Sequence, residues 1–405
     1  MIPTFAWRNL WRNKLRSALI IAAFTIGIFA GVFLIAFMSG MINSRVNAVI
    51  GTEMSHIQLH KKGFLENNQF SIRFDVSDTM LGKIAATPHV VAVSKRIIVN
   101  SMIASAETGM GVKISGIDPT MESKVTNIHS NIIEGKYLDE KGRNPVLISE
   151  SLAKKLNVSL KNKIVITLQN VNKTITGGAF RIVGIYRTEN LMFDDGNIFV
   201  RNEDLARLTG ISVNEAHEVA VLLDKNDNTE AVTQLLSNEF PKLDVKNWLQ
   251  LSLDAGALVG MMNQYTYIFT VIILLALCFG IVNTMLMVIM ERIHELGMLM
   301  AIGMKRIKVF GMILLETVFL SLTGGMLGIL LGWLVTNHYE KTGIDLYFWK
   351  EAFGQMGFSS MIYPSIDNNV IFYTAVMVII AGVLSAIYPA YKAIKLKPVE
   401  AIRTI

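Results

Sequence analysis

The chain has 405 residues, of which 52% are hydrophobic and 17% are charged, with one cysteine and a formal net charge of +6. Soluble proteins carry charge on about a quarter of their residues, so this chain is short of surface charge. Its apolar residues gather in four long blocks, which argues against a soluble enzyme and for an integral membrane protein. The single Cys278 excludes an intramolecular disulfide.

The chain begins with a basic leader, residues 1–16. Its rings and cations fall on separate helical faces, with Trp7, Leu10, Trp11 and Leu15 on one and Arg8, Arg12 and Arg16 on the other. This pattern predicts a cytoplasmic interfacial helix, with the alternative that the leader is only a positive flank that fixes topology. The charge-free block 17–44 follows and is too long for a signal peptide, so we expect a retained first span.

Residues 45–254 form a large region of different composition, for which we predict an α+β domain of two lobes, with an inserted lobe at about 125–215. The segment from His56 to His60 alternates as a strand does, and we expect its two histidines to be surface residues rather than metal ligands. The Asn, Lys and Gly-Gly of 169–178 suit a hairpin turn. Other patterns predict strands at 90–99, 111–117, 145–149, 163–168, 179–186, 218–223 and 243–248, and helices at 77–86, 150–156 and 229–240.

The remaining three blocks each exceed the roughly 20 apolar residues that a membrane-spanning helix needs. They predict a second span at 255–290 that extends beyond the bilayer, a third at 309–339 and a fourth at 368–391. Lys and Arg cluster in 1–16, in the short 291–308 connection and in the 392–405 tail, whereas the 340–367 loop holds only two lysines. The positive-inside bias therefore predicts that both termini are cytoplasmic and that 45–254 and 340–367 lie outside.

The few polar side chains inside the spans need partners. Glu316 is expected to pair structurally, either with another helix or with the basic cytoplasmic surface, with a coupling or proton role as the alternative. Asn283 and Thr284 are expected to donate hydrogen bonds between helices. One face of the third span carries a small-residue ladder, which predicts a close helix contact within the chain or in a dimer: Gly324, Gly325, Gly328 and Gly332.

Catalytic patterns are missing. The sequence has no nucleotide-binding G-x-x-x-x-G-K-[ST] motif, and the His294-Glu295 pair is followed by Met298 where a zinc protease needs histidine. The segment 291–313 instead has charges at both ends of an apolar run too short to span. This favours an amphipathic helix that docks on a soluble partner, or else a plain connector between two spans.

Several segments resemble the FtsX-like/MacB-like ABC transporter permeases along essentially the whole chain. The matching motifs are AWRNLWRNKLRSALI near the start, ISGIDP, IIEGKYL, VLISESLAKKLNV and FRIVGIY in the outer domain, GIVNTMLMVIMERIHELGMLMAIGMKRIKVFGMILLE with GGMLGILLGW in the middle, and YPAYKAIKLKPVEAIR at the end. The resemblance implies a non-catalytic subunit with four transmembrane helices and a large α+β periplasmic domain between spans 1 and 2, in the cell inner membrane.

The resemblance also implies partners and contacts. Such permeases work as dimers, with a second permease copy or a paralogue, on a soluble ABC ATPase dimer that binds the ATP and magnesium, so no cofactor is expected in this chain. The 291–303 segment would be the coupling helix that docks on the ATPase. The residues implied in that contact are Glu291, Arg292, Glu295, Leu296, Gly297, Leu299, Ala301 and Gly303.

The layout is closest to the lipoprotein-releasing LolC/LolE type. MacB has a fused ATPase ahead of its first span, where this sequence has 16 residues, so we expect a permease with a separate ATPase chain. Met300 stands where many relatives have arginine. The leading hypothesis is therefore release of lipoproteins, or similar lipidated cargo, from the inner membrane. The alternatives are MacB-type export of peptides or small amphiphiles with a periplasmic adaptor, and an FtsX-like transducer that controls a cell-wall hydrolase. A periplasmic carrier and membrane lipids complete the expected partners, and no nucleic acid is among them.

Overall fold

Residues 14–138, 142–366 and 368–395 are described by the structure, a computed structural model. The expected interfacial helix at 1–16 lies outside them except for its last three residues, and so does most of the 392–405 tail. The described residues divide into a helical unit, which includes Gly260–Asp345, and an α+β unit of Asn43–Val259 and Leu346–Ser360.

The helices and strands follow the sequence patterns closely. Two expected strands, Pro145–Ser149 and Glu218–Leu223, have the expected ends. The helices are α1 Lys14–Ala48, α2 Phe64–Asn67, α3 Asp78–Ala85, α4 Pro119–Val125, α5 Glu150–Lys155, α6 Leu191–Gly196, α7 Asn202–Thr209, α8 Thr229–Glu239, α9 Trp248–Leu251, α10 Leu253–Glu291, α11 Ile293–Ala301, α12 Arg306–Thr342, α13 Lys350–Gln355 and α14 Asn368–Ile394. The strands are β1 Ile57–Lys61, β2 Phe74–Asp75, β3 Val90–Ala104, β4 Gly109–Ile117, β5 Ile132–Gly135, β6 Pro145–Ser149, β7 Lys163–Gln169, β8 Ile175–Tyr186, β9 Asn197–Arg201, β10 Glu215–Ala216, β11 Glu218–Leu223, β12 Leu243–Asn247, β13 Ile344–Asp345 and β14 Met361–Ile362.

Four helices, α1, α10, α12 and α14, are long and apolar enough to cross a bilayer. The prediction of four spans with an α+β region between the first and second is confirmed. α10 contains 39 residues, so at 1.5 Å per residue it is about 58 Å long. That length exceeds the roughly 30 Å of bilayer hydrocarbon, as the sequence predicted for this segment.

The helical unit is held by an apolar cluster to which α1, α10, α11, α12 and α14 all contribute. Its buried members are Ile20, Phe24, Ile281, Met285, Val288, Ile289, Leu296, Val309, Met312, Ile313, Leu320, Ala390 and Ala393. Leu296 belongs to the short helix α11, so this helix is packed against the other helices of the bundle.

The α+β unit is built on one mixed sheet of ten described strands, in the order β12-β1-β11-β3-β4-β9-β6-β8-β5, with β7 paired to β3 and β8. The 15-residue β3 pairs with β11 at its start and with β7 at its end, so it connects two apolar cores. One core surrounds Ile57 and Leu59 of β1; the other surrounds Ile114 and Phe180. The division into two lobes stays a prediction, since one sheet runs through both cores.

The hairpin between β7 and β8 is tighter than the sequence suggested. Residues 175–178, expected in the turn, continue β8, and Gln169 pairs with Ile175. The turn itself is closed by Asn170, whose Oδ1 accepts hydrogen bonds from the backbone N–H groups of Asn172 and Thr174. An asparagine side chain that mimics a backbone acceptor in this way lets the chain reverse within a few residues.

A buried ionic network joins strands β3 and β11 of the sheet to the helix α4. The Arg96 guanidinium donates to Glu122 at 2.7 Å and 3.1 Å and to Glu218 at 2.6 Å, and the Ser94 hydroxyl also donates to Glu122. Burial, the largest single influence, would raise the pKa of the Glu218 carboxyl, but the charge and hydrogen bond of Arg96 together with smaller contributions such as that of Lys113 lower it below its usual range. The hydrogen-bonded guanidinium offsets part of the desolvation penalty of the two buried carboxylates.

The expectation that His56 and His60 are surface residues is wrong. Both are buried, because β1 is paired on both edges, with β11 and β12, and is covered on both faces. The Nδ1 atom of His56 accepts a hydrogen bond from the backbone N–H of Leu223, and the His60 ring stacks on Phe64. Burial lowers the pKa of His56 to about 4 and also lowers that of His60, so both rings are neutral near pH 7.

The chain between α12 and α14, expected as a plain loop, is ordered and contributes Leu346–Ser360 to the α+β unit. β13 and β14 pair at its two ends. Within the unit, the Ser359 hydroxyl donates to Glu189 at 2.7 Å, and Gly354 lies so close to Leu191 that an added Cβ would be 3.0 Å from it. The segment is therefore packed onto the domain and has a defined shape.

Candidate functional site

The candidate site is α11, the short helix that connects α10 to α12. The chain leaves the α-helical conformation at Arg292, which is the N-cap residue of α11. At the other end, Gly303 has a φ of +100°, and the N–H of Met304 donates to the carbonyl of Leu299. This is the glycine-terminated helix end that non-glycine residues rarely adopt. Gly303, predicted as a partner contact, thus has a structural task, although it is also exposed.

Two of the predicted contact residues cannot meet a partner in this arrangement. Leu296 is only 2% exposed and belongs to the apolar cluster of the bundle, and Gly297 beside it is buried. Leu299 is half-buried and packs against the same cluster. The assignment of Leu296 and Gly297 to a partner contact is corrected: they attach α11 to its own bundle.

The opposite face of α11 is exposed and largely apolar. It carries His294, Met298 and Ala301, and the C-cap residue Ile302 continues the same face; Met298 is 52% and Ile302 80% exposed. Their spacing of four, three and one residues keeps them on one side of a helix. Sequence reasoning missed Met298 and Ile302 as contacts because Leu296 and Leu299 are equally apolar, so the pattern alone does not separate the two faces. Of the predicted contacts, Glu291 and Ala301 are exposed and Glu295 is half-buried.

An ion-pair network fixes the start of α11. Arg292 Nη1 lies 3.0 Å from Glu316 Oε1 and 3.2 Å from Glu316 Oε2, and Arg292 Nε donates to Glu295 Oε2 at 3.1 Å. Only 7% of the Glu316 side chain and 18% of the Arg292 side chain are exposed. Glu316 therefore pairs with the N-cap residue of α11, and this contact joins α12 to the start of the candidate site.

Thr284 and Asn283, the two residues predicted to donate hydrogen bonds between helices, have different surroundings. The Thr284 hydroxyl donates to the carbonyl of Gly280 at 2.7 Å in its own helix, so the expected bond to another helix is corrected for this residue. A threonine on a helix satisfies its hydroxyl locally in this way. Asn283 is exposed on the surface of α10, so within the described chain its amide does not bridge to another span.

The glycine ladder makes contacts within the chain. Added Cβ atoms at Gly324, Gly328 and Gly332 would lie 2.5 to 2.8 Å from side chains of α1, and one at Gly325 would lie 2.5 Å from Val378 of α14. The Thr25 hydroxyl also donates to the carbonyl of Gly324 at 3.2 Å. Of the two expected contacts, the structure contains the intramolecular one, with α12 between α1 and α14.

The fold and this site define a polytopic membrane protein with an inserted α+β domain and a short, partly exposed helix between its second and third spans. Residues 17–239 match the MacB-like periplasmic core domain family, and residues 267–398 match the FtsX-like permease C-terminal family. The chain belongs to the FtsX-like/MacB-like ABC transporter permease family.

Individual relatives agree with this assignment. The chain is 23% identical to the lipoprotein-releasing system transmembrane protein LolC of Neisseria meningitidis, over 84% of this chain and 83% of that protein. It is 25% identical to an uncharacterised ABC transporter permease of Methanocaldococcus jannaschii, over 67% of this chain and 65% of that protein. It is 32% identical to the macrolide export ATP-binding/permease protein MacB of a Shewanella species, over 30% of this chain and 16% of that protein.

Proposed function

We propose that the chain is the permease subunit of an ABC transporter whose ATPase is a separate chain. The exposed face of α11 is the docking surface, with Met298 and Ile302 as its apolar centre. The observation that carries this proposal is the contrast between the two faces of α11, because one face is buried in the bundle and the other exposes large apolar side chains. Short helices with such an uncovered apolar face fit into grooves of soluble partners.

The orientation follows from charge. Lys305, Arg306 and Lys308 follow α11, and basic residues also crowd the two termini. The positive-inside rule supports an orientation with α11 and both termini in the cytoplasm, where an ATPase has access to ATP, and with the α+β unit in the periplasm. The Arg292–Glu316 contact would then link movement of the docked helix to α12.

The docking proposal is tested by Ile302→Glu. Burying a carboxylate at the centre of an apolar contact carries a desolvation penalty. We therefore expect the variant to lose the ATPase that co-purifies with the wild-type chain, and the stimulation of ATP hydrolysis by the permease to fall. Ile175→Glu is the matched control, since Ile175 is also 80% exposed but belongs to the α+β unit. Equal retention of the ATPase by both variants would contradict the docking surface.

For the cargo we propose a lipoprotein, released from the outer leaflet of the inner membrane. The similarity to LolC supports this, because it extends along most of both chains. The match to the MacB-like core domain supports a second candidate, export of small amphiphiles, but this chain spans only 16% of the length of the MacB relative.

Reconstituted vesicles separate the two candidates. The purified permease–ATPase complex is placed in proteoliposomes with a fluorescent triacylated lipoprotein, and ATP-dependent transfer of the lipoprotein to the soluble fraction is measured. A macrolide is the parallel substrate. Release of the lipoprotein without macrolide transport supports the first candidate, and the reverse result supports the second. A Walker-type knockout of the ATPase shows whether either movement depends on ATP hydrolysis.

A further inference from the structure

The most exposed aromatic side chains of the α+β unit lie together on the segment between α12 and α14. Tyr347, Phe348 and Trp349 form a single 3-10 turn, and Phe348 is 89% exposed. The Phe348 and Trp349 rings meet edge to face at 5.6 Å between centroids, and Met356 is exposed on the same segment. An exposed apolar patch of this kind marks a surface that contacts a membrane or another molecule.

The exposure is not the result of a loose chain. The backbone N–H of Leu346 donates to the carbonyl of Ser360 at 2.8 Å, and the N–H of Trp349 donates to the carbonyl of Leu346 at 2.8 Å. Phe358 and Ser359, on the returning half of the segment, are buried. One side of the segment is therefore packed onto the α+β unit while the three rings are held outward.

The chain on either side of the segment belongs to the helical unit, and on one side it contacts the membrane-spanning α1. Within the helical unit, the N–H of Ser365 donates to the carbonyl of Ala36, and the carbonyl of Tyr363 packs against Gly40. Ala36 and Gly40 belong to the charge-free part of the membrane-spanning α1. Ile344 of β13 pairs with Ile362 of β14. Phe348 is the third residue after Asp345, so the two are separated by at most about 11 Å of extended chain.

The chemistry of the segment fits a lipid surface. Tyrosine and tryptophan concentrate at the membrane–water interface because their rings are apolar and their polar tips remain hydrated. Residues 343–360 contain Asp345, Lys350 and Glu351, one positive and two negative charges, so anionic headgroups would not attract them. We propose that Tyr347, Phe348 and Trp349 insert into the interfacial region of the adjacent leaflet and fasten the α+β unit to the bilayer surface.

The proposal rests on the four membrane spans and not on the identity of the cargo. It is tested with the full-length chain in liposomes of zwitterionic phosphatidylcholine, in a Cys278→Ser background. An environment-sensitive fluorophore is attached through Phe348→Cys, and in a second variant through Tyr347→Cys. The matched control carries the label at Ile175→Cys, a similarly exposed apolar residue of the same unit that is far from these spans in the sequence. Lipids with a nitroxide near the headgroup act as quencher.

We expect the label at residue 348 or 347 to lose about half of its emission or more to the headgroup nitroxide, and the label at 175 to lose little, because interfacial rings lie at that depth. Raising the salt concentration should leave the quenching unchanged. Equal, weak quenching at all three positions would overturn the proposal. A blue-shifted but unquenched label at 348 would also overturn it, because a protein, such as a second copy or a cargo, would then cover the patch.

Discussion

Removing Arg292 should detach the start of α11 from α12. The Arg292 guanidinium contacts both oxygens of Glu316 within 3.2 Å, and both side chains are largely buried. Breaking a buried pair by deleting one partner costs roughly 3 to 5 kcal/mol, because the remaining charge keeps its desolvation penalty. Because 18% of the Arg292 side chain is exposed, we expect Arg292→Ala to lower the free energy of unfolding by an amount at the lower end of this range, about 3 kcal/mol.

A double-mutant cycle isolates the pair from the effects of each truncation. The cycle compares Arg292→Ala, Glu316→Ala and the double variant by reversible denaturation of the purified protein in mild detergent. We expect an interaction energy of about 1 to 3 kcal/mol, the range for residues in direct contact. Glu316→Gln should be tolerated better than Glu316→Leu, because a glutamine oxygen can still accept a hydrogen bond from Arg292.

The same variants test function. If α11 transmits the state of the ATPase, then Arg292→Ala should reduce ATPase stimulation in complexes that still assemble.

In the double-mutant cycle, an interaction energy below about 0.5 kcal/mol would refute the proposed pairing of Arg292 with Glu316, since that is the scatter found for independent sites. Equal tolerance of Gln and Leu at residue 316 would show that hydrogen bonding is not the task of this carboxylate.

Two further predictions concern the two units. Gly328→Leu should destabilise the helical bundle by about 2 kcal/mol or more, because its Cβ would lie 2.8 Å from Ile28 of α1. A Cβ added at Gly311 on the same helix would meet nothing within 4 Å, so Gly311→Leu is the control; equal thermal stability of both variants would contradict the packing. In the α+β unit, burial lowers the pKa of His56 from 6.5 to about 4, so the unfolded chain binds a proton more readily between these values. The contribution of the neutral His56 ring to the free energy of unfolding is therefore largely complete above pH 6.5. It falls by about 3 kcal/mol as the pH drops to 4. His56→Gln should flatten this part of a pH–stability curve, and an unchanged slope would exclude His56 as its source.

Part of the candidate site could be predicted from the sequence, and part of it could not. The position of α11 could be predicted because charged residues bracket an apolar run too short to span. Which face of α11 is buried could not be predicted, because Leu296 and Met298 are both apolar and only packing distinguishes them. Glu316 was expected to have a partner, yet its partner, Arg292, lies 24 residues earlier in the chain, across the turn that α11 makes. A local pattern carries no information about which long-range pair forms.

The sequence by itself determined that the protein spans a membrane four times and where the outer domain is inserted, because apolar runs of this length with at most one charge favour hydrocarbon over water and are visible without knowledge of contacts. It also determined most strands, through alternation and turn residues. Only the tertiary structure decided that His56 and His60 are buried and that the glycine ladder of α12 meets α1. Burial on both faces of a strand, and the choice of a helix neighbour, depend on elements that are distant in the chain.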